Sequence, residues 1–113
     1  MADILRFAKM LLGKGELDGV RILSESAVSA MLSPALPEGL DGLARGENIG
    51  IGTFVISGVH RLPKGTVYSH GAYGTHLLIH PERNIAAVFL KNSFFQMATN
   101  APATRAFEEA VLQ

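Results

Sequence analysis

"VYSHGAYGTHLLIHPERNIAAVF", Val67 to Phe89, is the stretch on which the fold turns. Its second half reads as a hairpin: "HLLIH" and "IAAVF" are apolar runs, and "PERN" between them supplies the proline and asparagine of a tight turn. The run after the turn is apolar on both faces, as an interior strand would be. The first half is odd for a plain strand, because Tyr68 to Gly74 holds a histidine, two tyrosines and two glycines. That composition suits a glycine-rich anion loop, the rim of an active site, or a crowded corner between strands.

Outward from this stretch, "IGIGTFVISGV" begins the strand-rich half, and "RLPKG" breaks it as a turn in which Arg61 and Lys64 read as solvated. Pro34 to Ile49 has prolines, glycines and no periodicity, so it reads as a surface crossing. Before it, "ADILRFAKMLL" sets Ile4, Leu5, Ala8, Leu11 and Leu12 at helical spacing, with Gly13 as a left-handed C-cap. "ELDGVRIL" contains an Asp-Gly turn, and Ser24 caps a second helix, "ESAVSAML", which Pro34 ends. At the far end Pro102 opens a last helix, "ATRAFEEAVLQ", with Ala103, Phe107 and Val111 on one face. The expected fold is α+β: an antiparallel sheet of about three strands, formed by "GTFVISGV", "HLLIH" and "IAAVFLK", with two N-terminal helices and a C-terminal helix. One sheet face is expected to lack a cover.

The chain has 113 residues, 48% of them hydrophobic and 18% charged, which is one domain's worth, 1–113, with a core of its own. Ten Lys and Arg balance ten Asp and Glu, so net charge points to neither nucleic acid nor an acidic membrane as partner. The N-terminus lacks the unbroken apolar stretch of a signal peptide or span. The absence of cysteine removes thiolate chemistry and favours a reducing, cytoplasmic setting for this chain; a periplasmic or secreted parent with its leader upstream fits as well.

No cofactor or metal motif is present. His60, His70, His76 and His80 lack carboxylates at ligand spacing, and His76 and His80 on one strand face would stand about 13 Å apart. Neither GxxxxGK[ST] nor GxGxxG occurs. No serine sits in GxSxG or has a lysine three residues on, and an unassisted hydroxyl is a poor nucleophile. Glu108 and Glu109 read as solvated on the last helix. What remains is the opening segment. His70 is a candidate proton donor, and Gly71 and Gly74 admit a ligand or another backbone to the strand edge. Backbone N–H groups there are candidates for holding an oxyanion, against a packed corner in which Tyr68 and Tyr73 fill the gap.

"DILRFAKMLLGKGELDGVRILSESAVSAML", "GIGTFVI", "YSHGAYGTHLLIHPERNIAAVFL" and "AFEEAV", in this order over most of 3–112, resemble the C-terminal portion of the serine β-lactamase-like hydrolases, the family of class C β-lactamases, DD-peptidases and related esterases. The resemblance implies a partial β-lactamase/transpeptidase-like fold. It also implies that Ser69, Gly71, Ala72 and Tyr73, with His70, lie at a substrate-binding edge strand. The family form there is His-Gly-Gly, then Ala, an aromatic, Gly and Thr; this chain has "SHGAYGT". Aligning "GAYGT" puts Ser69 at the family histidine, whereas aligning His70 requires a deletion after Gly71. The family's Ser-x-x-Lys and Tyr-x-Asn elements are absent. The implied function is a C-terminal fragment of an acyl-transferring hydrolase, inactive alone. Its expected partners are a second copy or a separately encoded N-terminal piece carrying the nucleophile. The alternative is a non-catalytic interaction or oligomerisation module.

Overall fold

In a computed structural model, which describes residues 1–93 and 101–113, the N-terminal stripe forms helix α1, Ala2–Leu12. Ala8, Met10 and Leu11 are buried, while Ile4 in the first turn stays exposed. The stop signal is displaced from its expected place. Gly13 has φ −74°, and Lys14 takes the left-handed position at φ 53°. Gly15 N–H then donates to the Met10 carbonyl at 2.9 Å and Lys14 N–H to the Leu11 carbonyl at 3.1 Å, a Schellman closure. Glycine is needed at 13 for space instead, since a Cβ there would run into the Glu16 carbonyl oxygen.

Strands β1 (Glu16–Leu17) and β2 (Val20–Arg21) follow as a hairpin whose two-residue turn, Asp18 at φ 53° and Gly19 at φ 78°, has the positive φ pair of a type I′ loop. Helix α2, Glu25–Leu32, starts where Ser24 accepts a hydrogen bond from the Ala27 N–H at 3.1 Å. The main sheet is a five-stranded antiparallel meander: β3 (Glu47–Ile49), β4 (Phe54–Ile56), β5 (Val67–His70), β6 (His76–His80) and β7 (Ile85–Phe89), in that order. Helix α3, Pro102–Leu112, closes the chain.

The three-stranded architecture is therefore corrected to seven strands in two sheets, with three helices, among the described residues. Two causes account for it. The aperiodic 34–49 crossing ends in β3, whose three residues are too few to show an alternation. The Tyr-Ser-His segment is itself a strand, so β5 separates "GTFVISGV" from "HLLIH". Among the described residues strand β7, apolar on both faces, is an edge strand and not an interior one, with all five residues partly accessible.

Pleating sorts the sheet into two faces. Val67, Ser69, Leu77, Ile79 and Ala86 share one face by register. On it Ile79 joins Ala8, Met10 and Leu11 of α1 and Val28 of α2 in one core. Tyr68, His70, His76, Leu78 and His80 share the other, where Leu78, Tyr68 and Ile56 meet Leu112 of α3. Helices thus cover both faces, and neither is left bare as expected. On α3 the buried residues are Thr104, Glu108 and Leu112. Phe107 and Val111 of the expected stripe are half-buried beside them, and Ala103 is exposed.

Candidate functional site

The residues expected at the substrate edge occupy the end of β5 and the loop into β6. Pairing with β4 stops at Tyr68, whereas pairing with β6 continues through Ser69 and His70. This end of β5 therefore projects past its β4 neighbour, inside the sheet order but edge-like along its last two residues. The hairpin loop closes by Gly71 N–H donating to the Thr75 carbonyl at 2.9 Å and Gly74 N–H to the Gly71 carbonyl at 3.0 Å. Both amides are spent on the loop itself, so neither is available to an oxyanion. Gly74 sits at φ 89°, and a Cβ on Gly71 would run into the Thr75 hydroxyl. The glycines are required by the turn. Ala72 and Tyr73 are exposed at its tip, where the Tyr73 carbonyl accepts from the Ser93 N–H at 3.0 Å.

Ser69 and His70 are adjacent in sequence and opposed in space. Ser69 lines a cavity on the α1 side. His70 points to the α3 side, stacked on Phe54 with ring centroids 5.2 Å apart and planes at 11°. Burial, with His76 nearby, holds its pKa below the ordinary histidine value despite the opposing pull of Glu47, so the ring is neutral at pH 7. The pleat keeps the imidazole from serving as base to the Ser69 hydroxyl.

The densest chemistry lies beside His70, in Glu47, which the sequence does not single out, and in Tyr68, His76, Glu108 and Arg61, which it reads as packing, unsupported ligand or solvated charge. Glu47 and Glu108 are 2% and 1% exposed. The Tyr68 hydroxyl donates to Glu47 Oε2, and the Leu43 N–H donates to Glu47 Oε1 at 2.8 Å. Burial, reinforced by that carboxylate, pushes the Tyr68 phenol far up, which fixes it as a neutral donor. The Tyr68 ring lies 5.4 Å from that of His76, and His76 Nε2 stands 3.2 Å from Glu108 Oε1. That contact does not meet the geometry of a hydrogen bond. Glu108 Oε2 accepts from the Arg61 guanidinium. Burial raises the Glu108 pKa, but the His76 and Arg61 contacts outweigh it, and the carboxyl lies below the ordinary glutamate value.

The solvated reading of Glu108 is thereby corrected, since it is buried and paired across elements with Arg61, whereas Arg61 and Glu109 both stay exposed. An ionised Glu108, a neutral Tyr68 and a neutral His70 make this cluster a latch between α3 and the sheet rather than a proton-transfer set. The available signal was the alternation in "HLLIH", which puts His76 and Leu78 on the face that meets α3, together with the i, i+4 spacing of Thr104, Glu108 and Leu112.

Among the described residues no three His, Asp or Glu side chains gather in a way that could hold a metal ion, and no helix is long and apolar enough to cross a membrane. No family model matches the chain, and no curated protein matches it in sequence.

Proposed function

We propose that the chain supplies the C-terminal, substrate-binding wall of a β-lactamase-related serine hydrolase and is inactive on its own. The observation that carries this reading is the projecting end of β5 at Ser69 and His70, unpaired with β4 among the described residues and adjoining an apolar cavity on the α1 face. An exposed strand end orients an acyl group through backbone hydrogen bonds, but nucleophile and base must come from elsewhere. Ser69 and His70, on opposite faces, do not form that pair.

The test has two arms. The isolated chain should leave a chromogenic cephalosporin and a short-chain aryl ester at background rates. Combined with an upstream piece bearing Ser-x-x-Lys and a tyrosine motif, it should form a protein that reacts with a fluorophosphonate. Turnover by the isolated chain that one serine substitution abolishes, or equal labelling of isolated and combined samples, would overturn the reading.

One observation favours the second reading, a self-associating module. Strand β7 is an apolar edge, "IAAVF", with no strand on its outer side among the described residues. Light scattering over a concentration range separates the two, because a second copy pairing along β7 would double the mass.

A further inference from the structure

We infer that the cavity between α1 and the sheet is a binding site for a small apolar acyl group, of the size of a benzoyl ester. The inference deepens the wall reading and rests on it for the acyl chemistry alone.

The cavity measures about 150 Å³. Its floor and walls are Leu11 from α1 and Val67, Leu77 and Ile79 from β5 and β6. Leu11, Val67 and Ile79 are buried. Its mouth is framed by Phe7 and Ile51, which are 44% and 59% exposed, so apolar surface continues from the interior to solvent. A cavity of this volume with a mainly aliphatic lining accepts a ring of about six carbons. Removing such a ring from water supplies the driving force, and no side chain in the lining carries a charge.

Two hydroxyls interrupt the hydrocarbon lining. Thr53 donates to the Met31 carbonyl at 2.7 Å, so its proton is committed to holding the β3–β4 turn against α2. The Ser69 hydroxyl has no such engagement among the described residues, and it stands on the projecting end of β5. A ligand with an apolar body and one hydrogen-bond acceptor matches this layout: the body enters between Phe7 and Ile51, and its carbonyl meets Ser69. A pure hydrocarbon fills the same space without the second contact.

The experiment uses the isolated chain with methyl-labelled Leu, Val and Ile, titrated with toluene and with methyl benzoate. Both should give saturable shifts at the Leu11, Val67, Leu77 and Ile79 methyls. Methyl benzoate should bind about fivefold more tightly for its additional hydrogen bond. Ser69→Ala, which leaves the cavity and the strand intact, should abolish that preference while keeping toluene affinity within about twofold. Absence of saturable shifts at these methyls overturns the site, and equal affinity for the two probes in the parent chain overturns its acyl assignment. Intact methyl shifts alongside failed fluorophosphonate labelling of the combined protein would remove the hydrolase reading and leave the cavity standing.

Discussion

Under α1 the sheet offers Val67, Leu77 and Ile79, side chains whose only requirement is removal from water. One residue along the same strands, under α3, it offers Tyr68, His70, His76 and Leu78. The first face is held by burial that has no preferred direction. The second is threaded by a chain of polar contacts from Glu47 through Tyr68 and His76 to Glu108 and Arg61. Such contacts are costly to bury and lose their value when displaced. The apolar face can therefore tolerate a cavity, whereas the polar face has to keep its register.

Substitutions can break the comparison, beginning with the apolar face. Ile79→Ala removes a fully buried side chain and should cost about 4 kcal/mol in denaturant unfolding. A loss below about 1 kcal/mol would mean that this face contributes little to stability.

On the polar face, Glu108→Ala leaves His76 and Arg61 without their carboxylate. The expected cost is about 2–3 kcal/mol, under the full price of a broken buried pair because Arg61 reaches solvent. The double variant Arg61→Met with Glu108→Leu should be less destabilised than Glu108→Ala alone. Equal stability of all three would show that α3 does not depend on the latch.

A smaller effect is expected with pH. Burial is the chief cause holding His60, His70 and His80 below the ordinary histidine value. As the pH falls through about 6.5 the unfolded chain takes up protons before the folded one does, so stability declines from there towards the folded-state values. Glu108 acts in a separate, lower window: its depressed carboxyl contributes stability that is present above the ordinary glutamate pKa and lost as the pH falls through the folded value. Denaturant midpoints at pH 7, 6 and 5 should fall, and His70→Phe, which keeps the stack on Phe54, should flatten the slope. An unchanged slope would clear His70 of any part in it.

Smallest of all is Arg6→Ala. The Arg6–Asp18 pair, 2.9 Å long, is solvated on both sides and should be worth about 0.5 kcal/mol or less. A larger loss would show that the α1 face, too, relies on charge.

Local signals were legible in the sequence, and their limits have a physical origin. The α1 periodicity, the Ser24 cap and the "PERN" turn each depend on residues within a few positions of one another. Strand β3 did not show because Glu47 and Asn48 are buried by partners far along the chain: Tyr68 and the backbone of Leu36. Glu108 looked like any solvated helix glutamate because Arg61, 47 positions away, is what makes its burial tolerable. In the candidate site the composition of 69–73 drew attention to the projecting end of β5. It was silent on which side of the sheet each side chain would face, since that depends on the register with β6.

The turn at Gly71–Thr75 acts, in effect, as the parity bit of the molecule. It is closed by Gly71 N–H on the Thr75 carbonyl, and that bond sets which β5 residue stands opposite His76. A strand has only two orientations, so one added residue that slides β5 by a single position exchanges them all. Histidine would then face the α1 cavity and serine would face the α3 latch. Two proteins differing by one glycine in this turn would present opposite chemistries to the same guest.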